Sequence, residues 1–571
     1  MKSLFIYLKN YIKECVMGPL FKLLEASFEL IVPLIVALII DEGIKNNNKP
    51  FIIGMVLVIC ALGLVGYACS VTAQYFSAKA AVGFSTVLRS KVFEKIQSLS
   101  FTEYDELGTG TMITRLTSDI NQIQTGVNLT LRLFLRSPFI VFGAMIMAFT
   151  VDVRSALVFT VAIPILAVIV FFIILYTMPL FKKVQNKLDK VVVKTRENLT
   201  GVRVIRAFAL EDSETEEYIS ENKDLKRRQN IVACISNLMN PLTYVIVNIA
   251  IVIILWVSGL QVNQGALKQG EVIAIYNYMS QILIELIKLA NLIITISKAI
   301  ACGNRVSDVL NLQSSLQLVE NSEGYSNKYI EFRNVYFRYK NAQDYSLTNI
   351  SFSVKKGETI GIIGATGSGK TSLVNLLPHF YDISEGILKI DGQDVASLDT
   401  EELRDRIAFI MQKSVLFKGT VRSNLQYGKI NATEEEMITA LKMADAYDFV
   451  FEKGGLDTIV EQNGKNFSGG QKQRLSIARG LIKKSEILIM DDSQSALDYA
   501  TDARIRKNIN ALDYKPTTFI VSQRTSAIKH ADKIIVLDDG KMIGYGKHEE
   551  LLLTCPVYSE IHYSQYKKEG K

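Results

Sequence analysis

Six long apolar segments constrain this chain more than any other feature. Each segment holds about twenty residues or more with few charges, which is enough helix to cross a hydrocarbon layer about 30 Å thick. The segments lie near residues 17–40, 51–75, 131–151, 156–180, 239–260 and 273–296. The first part of the chain is therefore predicted to be an all-α transmembrane domain of six helices.

The links between these segments differ in length and in charge. The second and fourth links are roughly fifty residues long and polar, whereas the other links are short. Basic residues concentrate in the two long links: Lys79, Arg89, Lys91, Lys95 and Arg115 in one, and Lys182, Lys183, Lys187, Lys190, Lys194, Arg196, Arg203 and Arg206 in the other. Because positive charge favours the cytoplasmic side, both long links and both termini are expected in the cytoplasm.

Apolar residues recur at helical spacing inside the long links, as at Val87, Val92, Val184 and Val191. This pattern predicts that the membrane helices continue well beyond the bilayer as long cytoplasmic helices. Separate cytoplasmic helices are the alternative.

The apolar character ends near residue 300, and the mean hydropathy of +0.20 averages two unlike halves. We expect a transmembrane domain over residues 1–310, a polar linker over 311–327 and a soluble domain over 328–571. In the last region short β-rich runs alternate with helical segments, which is typical of an α/β domain. The predicted fold class is thus a multidomain membrane protein, with six membrane helices followed by an α/β domain.

Charge and cysteine content exclude other classes of protein. Lys and Arg total 64 against 57 Asp and Glu, and a net charge of +7 on 571 residues is too small for a dedicated nucleic-acid binder. The six cysteines show no metal-ligand spacing, and the chain has only four histidines. A zinc site is therefore not expected.

A phosphate-binding motif opens the soluble domain. The segment 364–371 reads GATGSGKT, which matches GxxxxGK[ST] at every fixed position and follows an apolar run. Its glycines allow backbone N–H groups to converge on phosphate oxygens, Lys370 reaches the outer phosphates, and Thr371 offers a hydroxyl to Mg²⁺. The predicted binding residues are Gly364, Thr366, Gly367, Ser368, Gly369, Lys370, Thr371 and Ser372.

Two adjacent carboxylates follow a second apolar run. Asp491 and Asp492 come directly after 487–490, and a carboxylate at the end of a parallel strand is placed to hold Mg²⁺ beside the phosphates. A solvated acidic turn is the alternative. We expect Asp491 to be the metal ligand.

The segment 466–474, NFSGGQKQR, lies between these motifs and carries a family resemblance. With its P-loop, six spans and two long links, the chain resembles one half of an ATP-binding cassette (ABC) exporter over essentially its whole length. The resemblance implies a head-to-tail dimer with ATP and Mg²⁺ as cofactors. In such a dimer each ATP lies between the P-loop of one chain and the signature of the other, here Ser468, Gly469, Gly470 and Gln471.

The same resemblance implies roles for three further positions. Tyr339 is similar to the aromatic residue that stacks on adenine, and Gln412 to the glutamine that contacts magnesium and senses the membrane domain. The segment 495–498, which ends in Asp498, is similar to the loop that crosses the dimer. Transverse coupling helices are implied near residues 118–120 and 208–212.

Two departures from the family pattern affect the expected chemistry. Asp492 stands where the family usually has the glutamate that polarises water, and Gln523 stands where it usually has a histidine. Aspartate is shorter by about 1.3–1.5 Å, and a misplacement of about 1 Å can cost roughly a hundredfold in rate. Glutamine cannot become cationic. The resemblance to degenerate-site exporters therefore implies that this site binds ATP and rarely hydrolyses it.

The resemblance to degenerate-site exporters also implies a partner chain. We expect a heterodimer with a second exporter half that carries the catalytic glutamate, although a homodimer is an alternative. The expected activity is export of hydrophobic or amphipathic compounds across a bacterial inner membrane. A lipid exporter, a peptide exporter or a nucleotide-gated protein that does not pump would share the same motifs.

Charged residues inside the predicted spans are costly and therefore informative. Glu25 and Glu29 lie in the first span, and Glu285 and Lys288 lie in the sixth. They indicate either a wet cavity that contacts substrate or pairing between helices with cations of a partner.

Overall fold

The computed structural model describes residues 2–316, 328–493 and 497–566, and it divides into two compact units. The helical unit comprises Met1–Gln97 and Thr109–Leu312. The α/β unit comprises Ser98–Gly108 and Gln313–Lys571. Most of the predicted linker, residues 317–327, lies outside the described residues.

Helices account for nearly all of the chain before residue 312. Their bounds are α1 (Ile12–Leu38), α2 (Lys49–Gln97), α3 (Phe101–Leu107), α4 (Thr109–Thr114), α5 (Ile120–Leu133), α6 (Arg136–Val151), α7 (Val153–Thr200), α8 (Val202–Ala207), α9 (Glu211–Asn237), α10 (Met239–Asn263) and α11 (Gln269–Asn311). A 3₁₀ helix, Lys2–Tyr11, precedes α1, and π-helical turns follow α1 and α4 at Ile39–Ile44 and Arg115–Asp119.

Among the described residues, six helical stretches are long and apolar enough to cross a membrane: Leu4–Ile44, Lys49–Gln97, Thr109–Val151, Val153–Thr200, Glu211–Asn263 and Gln269–Asn311. The prediction of a six-helix membrane domain is confirmed. Helices α2 and α7 run without a break for 49 and 48 residues, so each continues from its apolar segment into the polar link. The predicted continuation is observed at α2 and α7, and short separate helices, α3 and α8, also lie in these links.

Small residues allow the membrane helices to approach closely. The core of the helical unit includes Ala26, Ala144, Ala156 and Ala250, all of them buried. At Gly126 on α5, a Cβ atom would come within 2.3 Å of the Cβ atom of Ala299 on α11. Since lipid removes the hydrophobic drive between such helices, close packing at small residues stabilises the bundle instead.

The described residues of the α/β unit form three sheets. Its strands are β1 (Ile330–Phe337), β2 (Leu347–Val354), β3 (Thr359–Gly364), β4 (Glu385–Ile390), β5 (Gln393–Asp394), β6 (Ile407–Ile410), β7 (Gly419–Thr420), β8 (Ile459–Val460), β9 (Ile487–Asp491), β10 (Thr517–Val521), β11 (Lys533–Asp538) and β12 (Lys541–Gly546). The main sheet has the order β12-β11-β3-β10-β9-β6, the second has the order β2-β1-β4-β5, and β7 pairs with β8.

Helices cover these sheets. They are α12 (Lys370–Leu376), α13 (Thr400–Asp405), α14 (Val421–Gln426), α15 (Glu434–Met443), α16 (Tyr447–Glu452), α17 (Gly469–Leu481), α18 (Tyr499–Asn510), α19 (Thr525–Ile528), α20 (His548–Thr554) and α21 (Pro556–Gln565). The predicted α/β class of this unit is confirmed.

The main sheet brings the predicted motifs to one edge. Strands β9 and β10 are buried along their whole length, as is typical of inner strands in a parallel sheet. Strand β10 pairs in parallel with both β3 and β9. The loops that follow these three strands therefore emerge side by side, although they are far apart in the sequence.

The short helix α3 belongs to the α/β unit although it interrupts the helical one. The Phe101 ring packs on Phe380 with a centroid distance of 4.5 Å, and the Tyr381 hydroxyl donates to Asp105 at 2.7 Å. The residues near 118–120 lie in the helical unit, where Arg305 Nε donates to Asp119 at 3.0 Å. The structure thus places α3 in the α/β unit and residues 118–120 in the helical unit. A coupling role near residues 118–120 stays a prediction.

The second expected coupling segment, near 208–212, lies at the junction of α8 and α9 in the helical unit. Phe208 there is 72% exposed, and Ala209 has a left-handed φ of 52°. A coupling role for this segment remains a prediction.

Candidate functional site

The phosphate-binding motif forms a tight loop between β3 and α12. Gly367 and Gly369 have left-handed φ angles of 85° and 93°. A Cβ atom on Gly364 would lie 2.1 Å from the carbonyl oxygen of Leu537, so only glycine fits there. Gly369 caps α12, and the first N–H groups of a helix have no acceptor within it. The loop and the helix start can together bind an anion.

Lys370 is folded back over this loop and is only 8% exposed. Its Nζ donates to the carbonyl oxygens of Gly364 at 2.9 Å and Ala365 at 2.6 Å. Burial lowers the pKa of Lys370, while Asp492 and Asp491 oppose that shift. Within the described residues the buried Ser368 hydroxyl has no hydrogen-bond partner, which fits a loop whose polar atoms can bind a ligand.

Asp491 and Thr371 form an oxygen-rich pair at the sheet edge. The Thr371 hydroxyl donates to Asp491 Oδ1 at 3.1 Å. Asp491 is 3% exposed, and burial raises the pKa of its carboxyl group. A hard cation would relieve this buried charge, and a carboxylate beside a hydroxyl suits Mg²⁺. The chemistry of the pair therefore fits magnesium.

Asp492 follows in a strained backbone conformation. Its φ of 42° lies in the left-handed region, which is uncommon for a residue other than glycine. The amide of Gln412 donates to Asp492 Oδ2 at 3.2 Å, so Asp492 is held toward Gln412. Burial raises the pKa of Asp492, and the Gln412 hydrogen bond opposes the shift.

One cavity of about 540 Å³ brings most of the predicted residues together. Its lining includes Tyr339, Thr366, Gly367, Gly369, Lys370, Thr371, Ser372, Gln412, Asp491, Asp492 and Gln523. These residues come from the loops after β1, β6 and β10, from the loop and helix start after β3, and from the end of β9 with the residue that follows it. The parallel sheet therefore assembles a single site from distant segments.

Tyr339 contributes an aromatic ring to the cavity wall. Its ring meets Phe337 and Tyr381 edge to face, with centroid distances of 4.8 and 5.2 Å. Its hydroxyl lies 3.0 Å from the Ser372 hydroxyl. The ring is therefore held in place next to the phosphate loop.

The SGGQ segment is not part of this cavity. Ser468 caps α17: its hydroxyl accepts from the Gln471 N–H at 3.3 Å, and its own N–H donates to the Gln471 side chain at 3.0 Å. Ser468 and Gly469 are exposed, and Gly470 and Gln471 are partly so. The chain thus presents the segment at its surface and does not close it over its own phosphate loop.

The predicted dimer-crossing loop is described only in part. Residues 494–496 lie outside the described residues, so the prediction for Ser495 and Ala496 falls there. Asp498 caps α18 and accepts from the Thr501 N–H at 2.9 Å, which lowers the pKa of Asp498.

The charged residues of the spans pair within this chain. Arg136 on α6 is almost buried, and it donates to Glu285 on α11 at 2.7 Å and to Glu29 on α1 at 2.8 Å. Glu285 also accepts from Ser137 and Lys288, each at 2.8 Å. Within this chain the cation that pairs with both Glu29 and Glu285 is Arg136. Pairing with cations of a partner and a wet cavity that contacts substrate both stay predictions.

Arg136 was not among the predicted charged residues of the spans, although it lies inside the third predicted span. The sequence signal for it was a basic residue within an apolar segment, because such a charge needs a partner at membrane depth. Glu25 also pairs within α1, with Lys22.

Both parts of the chain match models of known families. Residues 15–286 match the ABC transporter transmembrane region, and residues 347–495 match the ABC transporter model. The uncharacterized ABC transporter ATP-binding protein YfiB of Bacillus subtilis (strain 168) is 34% identical over 571 residues, which is 100% of this chain and 99% of that protein. The chain belongs to the ABC transporter family.

Other ABC transporters are similar over almost the whole length. The ATP-dependent lipid A-core flippase of Syntrophus aciditrophicus (strain SB) is 30% identical over 547 residues, covering 93% of this chain and 88% of that protein. A solved bacterial Atm1-family ABC exporter with ATP bound covers 98% of this chain and 99% of its own, with a TM-score of 0.83 and 24% identity. The fold is that of an ABC exporter.

The chain is accordingly an ABC transporter with a transmembrane domain and an ATP-binding domain, its activity is ATP-driven transport, and its fold is that of an ABC exporter. The cavity beside the phosphate loop is the candidate ATP site. Its lining residues supply anion-binding N–H groups, one ammonium, one buried carboxylate and an aromatic wall.

Proposed function

We propose that this chain is one half of a heterodimeric ABC exporter whose own P-loop site holds ATP and hydrolyses it slowly. The single observation that carries the proposal is Asp492. An aspartate follows the magnesium-binding position, and its carboxylate is held by Gln412 at 3.2 Å.

ATP binding requires only groups that the cavity contains. The N–H groups of the loop and Lys370 take the phosphates, and the Tyr339 ring takes the adenine. Thr371 and Asp491 would hold Mg²⁺, with Gln412 beside them. Magnesium, when bound, neutralises phosphate charge; the chain's own groups orient the nucleotide.

Hydrolysis needs a base at the right distance from the attacking water. The carboxylate of Asp492 is one methylene short, which removes about 1.3–1.5 Å of reach, and a displacement of about 1 Å can cost roughly a hundredfold. Gln523 can donate a hydrogen bond to a phosphate oxygen but cannot place a positive charge there. Both departures leave binding intact and slow the chemical step.

The signature segment supports a partner. Ser468 to Gln471 retain the SGGQ sequence and lie at the surface, so they can cover the P-loop of a second chain. We infer that the second chain carries the glutamate that Asp492 replaces, and that most turnover takes place in the site which this chain's signature completes.

The complex is proposed to lie in a bacterial inner membrane with its ATP-binding domains in the cytoplasm, and to export hydrophobic or amphipathic compounds. Lipid export is the second candidate. It is favoured by the 30% identity to a lipid A-core flippase.

The test compares single substitutions in the complex purified from its native host. Asp492→Ala is expected to reduce ATP turnover only slightly, whereas replacing the catalytic glutamate of the partner should abolish it. Ser468→Ala should impair turnover strongly because it damages the partner's site. Equal losses from the first two substitutions would contradict the proposal.

A further inference from the structure

The loop after β10 carries Gln523 to the edge of the ATP cavity and then enters α19. We name residues 522–525 the switch loop. Helix α21, forty residues further along the chain, ends on this loop. The side chain of Gln565 donates from Nε2 to the Gln523 carbonyl oxygen at 2.7 Å, and its Oε1 accepts from the Thr525 N–H at 2.9 Å.

This contact matches one side-chain amide to two backbone groups. The Thr525 N–H belongs to the first turn of α19, where N–H groups have no acceptor within the helix. The residue that caps α19, Arg524, makes no capping hydrogen bond with its side chain. Gln565 therefore supplies the missing cap from a distant helix, and at the same time it fixes the carbonyl of Gln523.

Helix α21 is itself anchored in the α/β unit. Tyr558 is fully buried, and its hydroxyl lies 2.6 Å from Nδ1 of His548 on α20. His562 Nδ1 lies 3.2 Å from the Thr525 hydroxyl, one turn before Gln565. Gln565 thus extends from a fixed support and can hold the loop.

We propose that Gln565 is a positioning residue that holds the switch loop so that Gln523 faces the bound nucleotide. This inference rests on the proposed ATP site. It adds that α21 sets the geometry of that site without lining the cavity, and that release of α21 from the loop would weaken nucleotide retention.

The size of the effect follows from three hydrogen bonds, two to backbone groups and a third in which the Thr525 hydroxyl donates to Gln565 Oε1 at 3.2 Å. These bonds are exposed or partly buried and compete with water, so their loss is expected to accelerate release of ATP from this site by about tenfold. The chemical step in the partner's site does not use this loop and should keep its rate.

The experiment uses the complete complex in lipid nanodiscs and measures release of radiolabelled ATP from this chain's site. Gln565→Ala should accelerate release about tenfold. Gln565→Glu keeps the acceptor for Thr525 but loses the donor for Gln523, so it should also accelerate release. Ser564→Ala, which alters only a local helix hydrogen bond to Ile561, is the matched control and should leave release unchanged.

A double-mutant cycle separates positioning from a general structural role. If Gln565 acts through Gln523, then Gln565→Ala combined with Gln523→Ala should release ATP no faster than Gln523→Ala alone. Additive effects would overturn the inference, as would unchanged release in Gln565→Ala. A lowered thermal midpoint without faster release would also overturn it.

These outcomes are distinct from failure of the proposed function. Rapid hydrolysis at the wild-type P-loop site would refute the proposal that this site hydrolyses ATP slowly. Such hydrolysis would appear as labelled ADP. The effect of Gln565 is read from the rate at which nucleotide leaves, relative to the wild-type complex.

Discussion

Helix α3 is held on the α/β unit by a hydrogen bond that one substitution can remove. Tyr381 is 8% exposed, and its hydroxyl donates to Asp105 on α3 at 2.7 Å. Burial and the adjacent carboxylate raise the pKa of Tyr381, so the hydroxyl stays protonated and can donate at neutral pH. Tyr381→Phe removes this donor and keeps the ring that packs on Phe337 and Tyr339.

The magnitude follows from the partners. A hydrogen bond to a charged group contributes about 1.5–3 kcal/mol, and the exposed ion pair between Lys340 and Glu106 contributes at most about 1 kcal/mol. The Phe101 ring contact is unchanged by the substitution. Loss of about 1.5 kcal/mol raises the open population of α3 roughly tenfold.

Hydrogen–deuterium exchange on the intact protein measures this opening. Amides of Phe101–Leu107 should exchange about tenfold faster in Tyr381→Phe. Tyr345→Phe is the matched control, since its exposed hydroxyl donates to Glu385 at 2.9 Å on another surface. Unchanged exchange of α3 in Tyr381→Phe, or an equal increase in the control, would refute the assigned role of this hydrogen bond.

Three further outcomes follow from the charges in the structure. Lys370→Ala should abolish measurable ATP binding to this chain's site, because it removes the only ammonium among the described residues that line the cavity; wild-type affinity would contradict the site. Arg136→Met should destabilise the protein by about 3 kcal/mol, seen as a lower thermal midpoint, since buried Glu285 then loses one of the two cations that pair with it and keeps Lys288; an unchanged midpoint would show that the pair is dispensable. Burial lowers the pKa of His548 and His562 below the usual value of about 6.5, so the unfolded state binds protons first on acidification. The contribution of these two histidines to the stability of the α/β unit should therefore be constant above about pH 6.5 and fall as the pH is lowered below it. A thermal midpoint that rises as the pH is lowered below about 6.5 would contradict this sign.

The six spans, the phosphate loop and the α/β class could be predicted because their signals are local. An apolar segment of sufficient length specifies a membrane helix, and GATGSGKT specifies a loop in which Gly364 leaves no room for a Cβ atom and Gly367 and Gly369 have left-handed φ angles. Neither inference requires knowledge of distant contacts.

Other features depend on contacts between distant residues. Helix α3 has only seven residues and no periodicity that separates it from its neighbours, so its packing on the α/β unit was not predicted. The partner of Glu29 and Glu285 is Arg136, more than a hundred residues from either. The contact of Gln565 with Gln523 joins the end of α21 to the loop after β10, and only the folded chain brings these two segments together.

The most direct test of the account identifies the nucleotide in this chain's own P-loop. The native complex is incubated with Mg²⁺ and an azido-ATP labelled on its α-phosphate, and is then cross-linked and digested. We predict that peptides of this chain near Tyr339 carry mainly triphosphate while the complex turns over, and that Asp492→Glu combined with Gln523→His shifts the label to diphosphate. Formation of labelled diphosphate in the wild-type site at the rate of overall turnover would contradict the proposal that this site hydrolyses ATP slowly.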